Sequence, residues 1–396
     1  MGANFASLRT RFPGATRSTY MNVAARGLMT AGSRAAIDRM LDARLYGEAD
    51  KAAMFDIIES SRRRYAALIN AEPDEIAITK NVSEGLNAII ASHDWQRGDN
   101  AVICPDLEHP NNVFPWRNLS KRTGMEVKTV APRDGRISVE AIADAIDGNT
   151  RMVTASSVTF APGFRTDIAA IAKLCRERDI LFLVDGVQSV GILHTDVNEL
   201  GIDAMAVSTQ KGLLGLYGMG FLYCRRAWAE RITPVYLARF GVDMGDAHEA
   251  ALGDGNDRLA PGARRFDLGN YNFVAAAAVD DSIGMMLDTG TREIEEHVTG
   301  LTRDLATGLL DIGLPVVGGE PGPATASIVS VGAIGEGQHD TVDDPAMAAL
   351  HDHLTANGVN LSIRRGILRF SLHLYNDASD VARVIDLARG HNRSAA

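Results

Sequence analysis

The sequence predicts an α/β protein in which a mainly parallel seven-stranded sheet forms a large domain, followed by a smaller α+β domain. Between about residues 75 and 225, seven short apolar runs alternate with helical patterns, which is typical of parallel strands covered by helices on both faces. After Phe266 the pattern changes to long helical stretches followed by two further strand patterns. A length of 396 residues also exceeds one ordinary domain.

The seven strands are predicted from apolar runs that end at Gly, Pro or polar residues. They are EIAITK (75–80), AVICP (101–105), EVKTVA (126–131), MVTASSV (152–158), LFLVDG (181–186), AMAVSTQ (204–210) and GMGFLYC (218–224). Amphipathic patterns at 138–146 and 167–178 predict connecting helices, the second beginning at Asp167 as N-cap. Ligands of such sheets bind at the carboxyl ends of the strands, where we therefore expect the chemistry.

Three parts of the chain are predicted from these patterns: an N-terminal segment (1–20), a large domain (21–265) and a small domain (266–396). In the small domain a helix is predicted from Asn272, and ASIVSVG (326–332) and ILRFSLHLY (367–375) are predicted strands. The Gly- and Asp-rich stretch Gly241–Arg258 is interpreted as an inserted flap.

The composition argues against several classes of protein. The formal net charge of −10 disfavours nucleic-acid binding, which needs clustered cations. No apolar run is long enough to span a membrane. The cysteines are few and widely spaced: Cys104, Cys175 and Cys224. We therefore expect neither disulfides nor a metal site, and we expect a reducing, cytoplasmic location.

Two charged residues follow neighbouring apolar strands of the predicted sheet. Asp185 ends LFLVDG, and Lys211 follows AMAVSTQ. Alone, such an Asp is usually a turn residue and such a Lys a surface residue. Together they suit a pyridine-aldehyde cofactor, because a lysine amine can form a Schiff base with the aldehyde while a carboxylate keeps the ring nitrogen protonated. Lys211 would then also move the substrate α-proton as an acid and base.

The segments VDGVQSVG (184–191) and VSTQKGLLGLYGMGFLY (207–223) resemble the signature of class V aminotransferase-fold enzymes, which depend on pyridoxal 5′-phosphate (PLP). That family includes cysteine desulfurases, selenocysteine lyases, isopenicillin N epimerase and alanine–glyoxylate aminotransferase. The resemblance extends over most of the chain and implies the PLP-dependent transferase fold of type I, with PLP as cofactor. It also implies a homodimer in which the two subunits share their active sites.

The resemblance implies cofactor contacts at positions that match the family's motifs. In LEHPNNVFPW (107–116) the histidine would stack on the cofactor ring, and in VDGVQSVG the glutamine would reach its phenolic oxygen. TKNVSEGLNAI (79–89) is similar to the family's phosphate turn, and RFDLGNYN (265–272) to a loop that reaches the phosphate of the neighbouring subunit. The implied cofactor residues are Val82, Ser83, Glu84, His109, Asp185, Gln188, Ser208, Gln210, Lys211, Gly269 and Asn270, and Lys211, Asp185 and His109 are the implied catalytic residues.

Substrate contacts are implied at both ends of the chain and in one central loop. In VNLSIRRGILRFSLHLYND (359–377), Arg369 matches the family's carboxylate-binding arginine and Arg364 a second arginine near the substrate. YMNVAARG (20–27) is similar to a segment that lines the substrate pocket, and SSVTFAPG (156–163) occupies the place of a substrate-contacting segment. The remaining implied substrate residues are therefore Asn22, Ala25 and Thr159. Arg26 is a further candidate, which could bind an acidic side chain of the substrate.

The reaction is left open by the family resemblance, because one fold supports several reactions. A desulfurase carries a cysteine on a loop between the positions of Arg364 and Arg369, and here that connection is short and has no cysteine. A persulfide mechanism is therefore disfavoured. Transamination of a small amino acid is the first expectation, since Gln210 precedes the lysine as in the alanine–glyoxylate branch. The alternatives are β-elimination or C–S lysis without a catalytic cysteine, epimerisation, and a non-catalytic regulatory protein.

Overall fold

The structure is a computed structural model, and it describes residues 3–245, 252, 258–335 and 340–395. The strands are β1 (Thr19–Tyr20), β2 (Ile76–Thr79), β3 (Asn100–Ile103), β4 (Glu126–Thr129), β5 (Thr150–Ser156), β6 (Leu181–Asp185), β7 (Ala204–Ser208), β8 (Gly220–Cys224), β9 (Ile328–Val331), β10 (Val359–Asn360), β11 (Ser362–Arg364) and β12 (Ile367–Ser371). The helices are α1 (Phe5–Arg9), α2 (Ala31–Leu45), α3 (Lys51–Leu68), α4 (Val82–Ser92), α5 (Pro110–Thr123), α6 (Val139–Ala145), α7 (Ile168–Arg176), α8 (Val197–Leu200), α9 (Arg226–Ala229), α10 (Phe273–Thr289), α11 (Thr291–Asp311), α12 (Pro345–Ala356) and α13 (Ala378–Ala395). Most of the flap predicted at 241–258 lies outside the described residues.

The large sheet contains seven strands in the order β2-β8-β7-β6-β5-β3-β4. The strands from β7 to β4 run parallel, whereas β8 is antiparallel to both of its neighbours. All seven predicted strands are present, so the predicted α/β fold with a mainly parallel sheet is confirmed. The strands β6 and β7 are buried along their whole length, as expected for continuous apolar runs covered on both faces.

Polar caps decide where several helices begin, and two of these helices start beside the strand ends. The Asn81 side chain accepts the Glu84 N–H at the start of α4, and the predicted cap Asp167 accepts the Ala170 N–H at the start of α7. Each cap satisfies an amide that has no partner within its own helix. The start of α4 is held next to the end of β7 by the Val82 N–H, which donates to the Ser208 hydroxyl.

The C-terminal part of the chain contains a three-stranded antiparallel sheet, β11-β12-β9. The short β1 pairs in parallel with β10, so the N-terminal segment lies beside this part of the chain. The domain boundaries at 20 and 265 stay a prediction. None of the described helices has the length and apolarity needed to cross a membrane.

A buried ion pair fixes the segment that joins the large sheet to α10. The Arg62 guanidinium lies 2.7 Å from Asp267, and both side chains are buried. The other Asp267 oxygen accepts the Ile78 N–H at 2.7 Å. Because each charge is paired and hydrogen-bonded, the desolvation cost is offset, whereas loss of either partner would leave an unpaired buried charge. The loop Gly269–Asn270 therefore leaves the sheet from a rigid anchor.

Candidate active site

A cavity of about 360 Å3 lies where the strands β5, β6 and β7 end. This volume falls within the range of small-molecule and cofactor sites. It is the place that the parallel sheet predicts for a ligand. Most of the residues proposed from the sequence line it: Ala25, Val82, Ser83, His109, Asp185, Gln188, Ser208, Gln210, Lys211, Arg364 and Arg369.

Lys211 is a partly buried lysine just beyond the end of β7. Desolvation, together with the charges of Arg369 and Arg364, lowers its pKa to about 8, while Asp185 acts in the opposite direction. The amine therefore reaches its neutral, nucleophilic form at a lower pH than an ordinary lysine does.

Asp185 is the last residue of β6, and its side chain is 4% exposed. One carboxylate oxygen accepts the Val187 N–H at 3.0 Å, and the other accepts no hydrogen bond from the described residues. Burial raises the pKa of Asp185, although the Val187 amide and the Lys211 charge oppose the rise. A cationic ring nitrogen placed against the free oxygen would stabilise the ionised carboxylate, which is the contact that PLP requires.

The start of α4 provides a site for an anion beside Lys211. The Val82 N–H donates to the Ser208 hydroxyl at 2.7 Å, so the helix start is tied to the end of β7. Val82, Ser83 and Ser208 all line the cavity. Helix N-terminal amides and adjacent hydroxyls together bind phosphate well.

Arg369 is a buried guanidinium on the central strand of the small sheet, 1% exposed. It donates to the Phe160 carbonyl at 2.6 Å and to the Ser362 hydroxyl at 3.1 Å, and no carboxylate of the described residues pairs with it. Burial lowers its pKa to about 9, helped by the charge of Arg364. An unpaired buried cation is costly, so an anionic ligand in this cavity would be bound strongly.

Arg364 is the second arginine on the cavity, and it differs from Arg369 in having an acidic partner. Its guanidinium lies 2.8 Å from the Asp340 carboxylate, which is largely exposed. An exposed ion pair contributes little to stability. Arg364 can therefore exchange this partner for a ligand at small cost.

Three further cavity residues are held by hydrogen bonds to other parts of the chain or to their own helix start. His109 caps α5, its Nδ1 accepting the Asn111 N–H at 3.2 Å, and its ring meets Phe160 edge-on at 5.4 Å. The Gln188 amide donates to the Ala24 carbonyl at 3.1 Å, which attaches the N-terminal segment to the cavity. The Gln210 carbonyl accepts the Gly27 N–H at 2.8 Å.

Several residues proposed from the sequence do not line the cavity. The Thr159 hydroxyl accepts the N–H groups of Gly163 and Phe164, and the neighbouring Phe160 lines the cavity in its place. The Glu84 carboxylate accepts the Lys80 N–H instead. The other residues that do not line the cavity are Asn22, Arg26, Gly269 and Asn270.

His373 is a site residue that the sequence interpretation did not single out. Its ring is fully buried, and burial lowers its pKa to about 4, so the ring is neutral. The Leu374 N–H donates to its Nδ1, so Nε2 carries the proton and donates to the Gly212 carbonyl at 2.8 Å. This bond holds the residue that follows Lys211. The available signal was its place in SLHLYN, three residues after Phe370.

Comparisons with known proteins show which family the sequence matches. The family model for class V aminotransferases matches residues 46–384. A probable cysteine desulfurase of Methanothermobacter thermautotrophicus is 34% identical over 63% of this chain, and the match spans 60% of that protein's length. An uncharacterized aminotransferase of Bacillus subtilis, YcbU, is 27% identical over 96% of this chain and 95% of its own length.

Solved structures share the whole fold. An apo cysteine desulfurase from Thermococcus onnurineus NA1 superposes with a TM-score of 0.83 at 23% identity, covering 100% of this chain and 99% of that one. A complex of the cystine C–S lyase C-DES with cysteine persulfide gives a TM-score of 0.83 at 24% identity, covering 95% of this chain and 99% of that one. At these identities the likeness shows the fold alone.

The residues on the cavity fit PLP. Lys211 can attach the aldehyde, the free oxygen of Asp185 can meet the ring nitrogen, and the start of α4 with Ser208 can hold the phosphate. The family model covers most of the chain and the fold is that of its members. The chain therefore belongs to the class V aminotransferase family of enzymes, with pyridoxal 5′-phosphate as its cofactor.

Proposed function

We propose that this protein is a PLP-dependent lyase that cleaves the C–S bond of a cysteine-type amino acid by β-elimination. The observation that carries the proposal is a cavity that combines Lys211 and Arg369 but that no cysteine of the described chain lines. The sequence similarity to probable cysteine desulfurases supports a sulfur-containing substrate. The proposed reaction is not transamination, which was the first expectation from the sequence. It is the alternative given there, β-elimination or C–S lysis without a catalytic cysteine.

Arg369 and Lys211 would have different roles toward the substrate, one in binding and one in proton transfer. Arg369 would bind the α-carboxylate, because its buried guanidinium has no acidic partner among the described residues and can make a bidentate contact. The neutral Lys211 amine would take the α-proton, since its lowered pKa of about 8 makes it a base near neutral pH. PLP supplies an electron sink for the carbanion, and Asp185 would keep its ring nitrogen protonated.

All three cysteines are unsuitable as sulfur acceptors. Cys104, Cys175 and Cys224 are buried and do not line the cavity. Burial raises the pKa of the Cys104 thiol to about 12, and burial also raises those of the other two. A thiol that stays protonated is a poor nucleophile. The sulfur would therefore leave the substrate as a thiol or persulfide product and would not be transferred to a cysteine of the enzyme.

The proposed reaction requires water as its only co-substrate. The α-proton and the sulfur substituent leave the amino acid, and the unsaturated amine that remains is hydrolysed to pyruvate and ammonia. The sulfur product is a thiol from an S-substituted cysteine, or a persulfide from a disulfide such as cystine. No external oxidant or reductant is required.

The test is to incubate the PLP-loaded enzyme with cysteine, S-substituted cysteines and cystine without any oxo-acid acceptor. We expect equal amounts of pyruvate, ammonia and sulfur product over many turnovers. Alanine, which has no β-leaving group, is the matched control and should give no pyruvate under these conditions. Product that stops after one equivalent per site would contradict the proposal.

Transamination is the second candidate, supported by the YcbU similarity over nearly the full length of both chains. In that case the cofactor would change to its pyridoxamine form with an amino acid alone, and turnover would need an oxo-acid. The absorbance spectrum and the acceptor dependence distinguish the two reactions in one set of experiments.

We also propose that the enzyme is a homodimer with shared active sites. The loop Gly269–Asn270 does not line the cavity of its own chain. The next residue, Tyr271, lines a separate groove of about 610 Å3 between α2, α3 and the start of α10. Leu41, also on this groove, is 48% exposed, and nearby Leu45 is 72% exposed. A second copy seated on this groove would cover these apolar side chains and bring its loop to the neighbouring phosphate site.

Mixed dimers test this arrangement directly. Lys211→Ala lacks the amine, and Asn270→Asp puts a negative charge where the partner's phosphate would bind. Each variant alone should be inactive, whereas co-expression should restore activity, because one site per mixed dimer would combine the intact Lys211 and the intact Asn270. A monomer in sedimentation, or no recovery in verified mixed dimers, would contradict shared sites.

A further inference from the structure

Glu108 is a buried acid with no role in the proposed reaction. Its side chain is 3% exposed and lies between the start of α5 and the end of β5. One oxygen accepts the Ser156 N–H at 2.7 Å, and the other accepts the Asn112 side-chain amide at 2.8 Å and is hydrogen-bonded to the Ser156 hydroxyl. These bonds connect the turn that carries His109 to the strand end on the cavity.

Asp185 is a second buried acid at the same place. Its register partner on the neighbouring strand is Ser156, the residue that Glu108 binds. Burial raises the pKa of Glu108 to about 7, and the charge of Asp185 contributes to this rise, while the Ser156 and Asn112 bonds oppose it. Two neighbouring buried carboxyls resist being ionised together, so their titrations are linked.

No cation of the described residues forms an ion pair with Glu108, and the Arg365 guanidinium donates to the Asp106 carbonyl on the same turn instead. The Cys104 thiol at the end of β3 stays protonated, since burial raises its pKa to about 12. Asp106, on the same turn, is exposed and adds negative charge. His109 is adjacent in the chain and belongs to the cofactor side of the turn.

We propose that Glu108 is a positioning residue that works in its protonated form, holding the His109 turn against β5 while leaving the negative charge to Asp185. The protonated oxygen donates to the Ser156 hydroxyl, and the other oxygen keeps the Ser156 N–H. Asp185 can then stay ionised against the cofactor ring without repulsion from a second carboxylate. This role is independent of which substrate the enzyme uses.

Three variants separate this role from a structural one. Glu108→Gln has the shape of the protonated acid and no charge, and Glu108→Ala removes the connection to β5. Glu140→Gln is the matched control, because Glu140 is an exposed glutamate at the start of α6 whose side-chain partner among the described residues is the nearby Ser138 hydroxyl. Circular dichroism establishes that each variant is folded.

The first readout is the pH dependence of thermal stability in the apoenzyme. The pKa of Glu108 is higher in the folded chain than in the unfolded one, so its stabilising contribution is present at low pH and is lost as the pH rises through about 7. The melting temperature of the wild type should therefore fall relative to Glu108→Gln between pH 5 and pH 8. Glu140→Gln should follow the wild type.

The second readout is the absorbance of the PLP-loaded enzyme as a function of pH, together with turnover. A spectral step near pH 7 should be present in the wild type and in Glu140→Gln and absent from Glu108→Gln. Glu108→Gln should keep kcat/KM within about threefold of the wild type at pH 6.5, whereas Glu108→Ala should lose about 30-fold or more. Equal pH dependence of both readouts in wild type and Glu108→Gln would overturn the proposal. So would a Glu108→Gln enzyme as slow as Glu108→Ala, because the ionised carboxylate would then be the working form.

Discussion

Burial and, after it, the charge of the Arg369 guanidinium lower the pKa of Lys211, and no carboxylate of the described residues pairs with that guanidinium. The guanidinium groups of Arg369 and Arg364 both face the cavity. The charge of Asp185 opposes their effect on the pKa of Lys211. Before a substrate arrives, the arrangement makes the neutral lysine amine more accessible than it is in an exposed lysine. A substrate carboxylate bound to Arg369 would neutralise one of the two charges, so substrate binding and the basicity of Lys211 should be coupled.

Lys211→Ala should abolish covalent attachment of the cofactor, because Lys211 is the lysine that lines the cavity. Borohydride reduction of the loaded enzyme, followed by peptide mass mapping, checks this. We expect the pyridoxyl label on the Lys211 peptide of the wild type and no label in the variant. A label on any other lysine would refute the assignment.

The pH dependence of cofactor attachment should report the lowered pKa of Lys211. The ammonium cannot add to the aldehyde, so the attachment rate of the apoenzyme should rise with pH and level off above about 8. Arg369→Gln should move the midpoint to higher pH, since it removes a nearby positive charge. Arg383→Gln, a surface change on α13, should leave the midpoint where it is, and a common midpoint in all three proteins would contradict the coupling.

Asp185→Asn should leave a folded protein that binds PLP but turns over at least about a hundredfold more slowly, because the ring nitrogen loses its electrostatic partner. Steady-state kinetics and the absorbance of the bound cofactor check the two halves of the prediction. Turnover close to that of the wild type would show that Asp185 does not support the electron sink.

Arg369→Ala should lower kcat/KM for amino acids by about 30- to 1000-fold with cofactor binding intact, which corresponds to roughly 2–4 kcal/mol for a lost charge-assisted contact. Lysine in its place should recover only part of this, since an ammonium cannot form the planar bidentate contact. The control is the decarboxylated amine of the same substrate. Equal losses on the amino acid and on the amine would indicate a structural arginine instead.

Replacing Cys104, Cys175 and Cys224 together by Ala should keep turnover within a few-fold, since none of the three lines the cavity. The melting temperature should fall, because three buried side chains lose volume. Assays well below the melting temperature separate the two effects. A folded variant without activity would restore a sulfur-relay mechanism.

The sequence alone predicts the sheet and the two chemical groups at its strand ends. The runs that end at Asp185 and precede Lys211 are apolar and local, so their strands follow from the pattern. Parallel strands then bring both ends to one edge, which predicts that these residues meet. The family motifs add Arg369 and His109 to the same cavity, where the structure places them.

Only the tertiary structure decides what each of these side chains contacts. Arg369 reaches the carbonyl of Phe160, 209 positions away, rather than an acid. Thr159 turns into its own loop, whereas His373 and Glu108 become buried partners of Gly212 and Ser156. A sequence pattern reports local periodicity and polarity, but desolvation and pairing depend on neighbours that are distant along the chain. The residues that carry the chemistry can therefore be named from the sequence, while their charge states come from the packing around them.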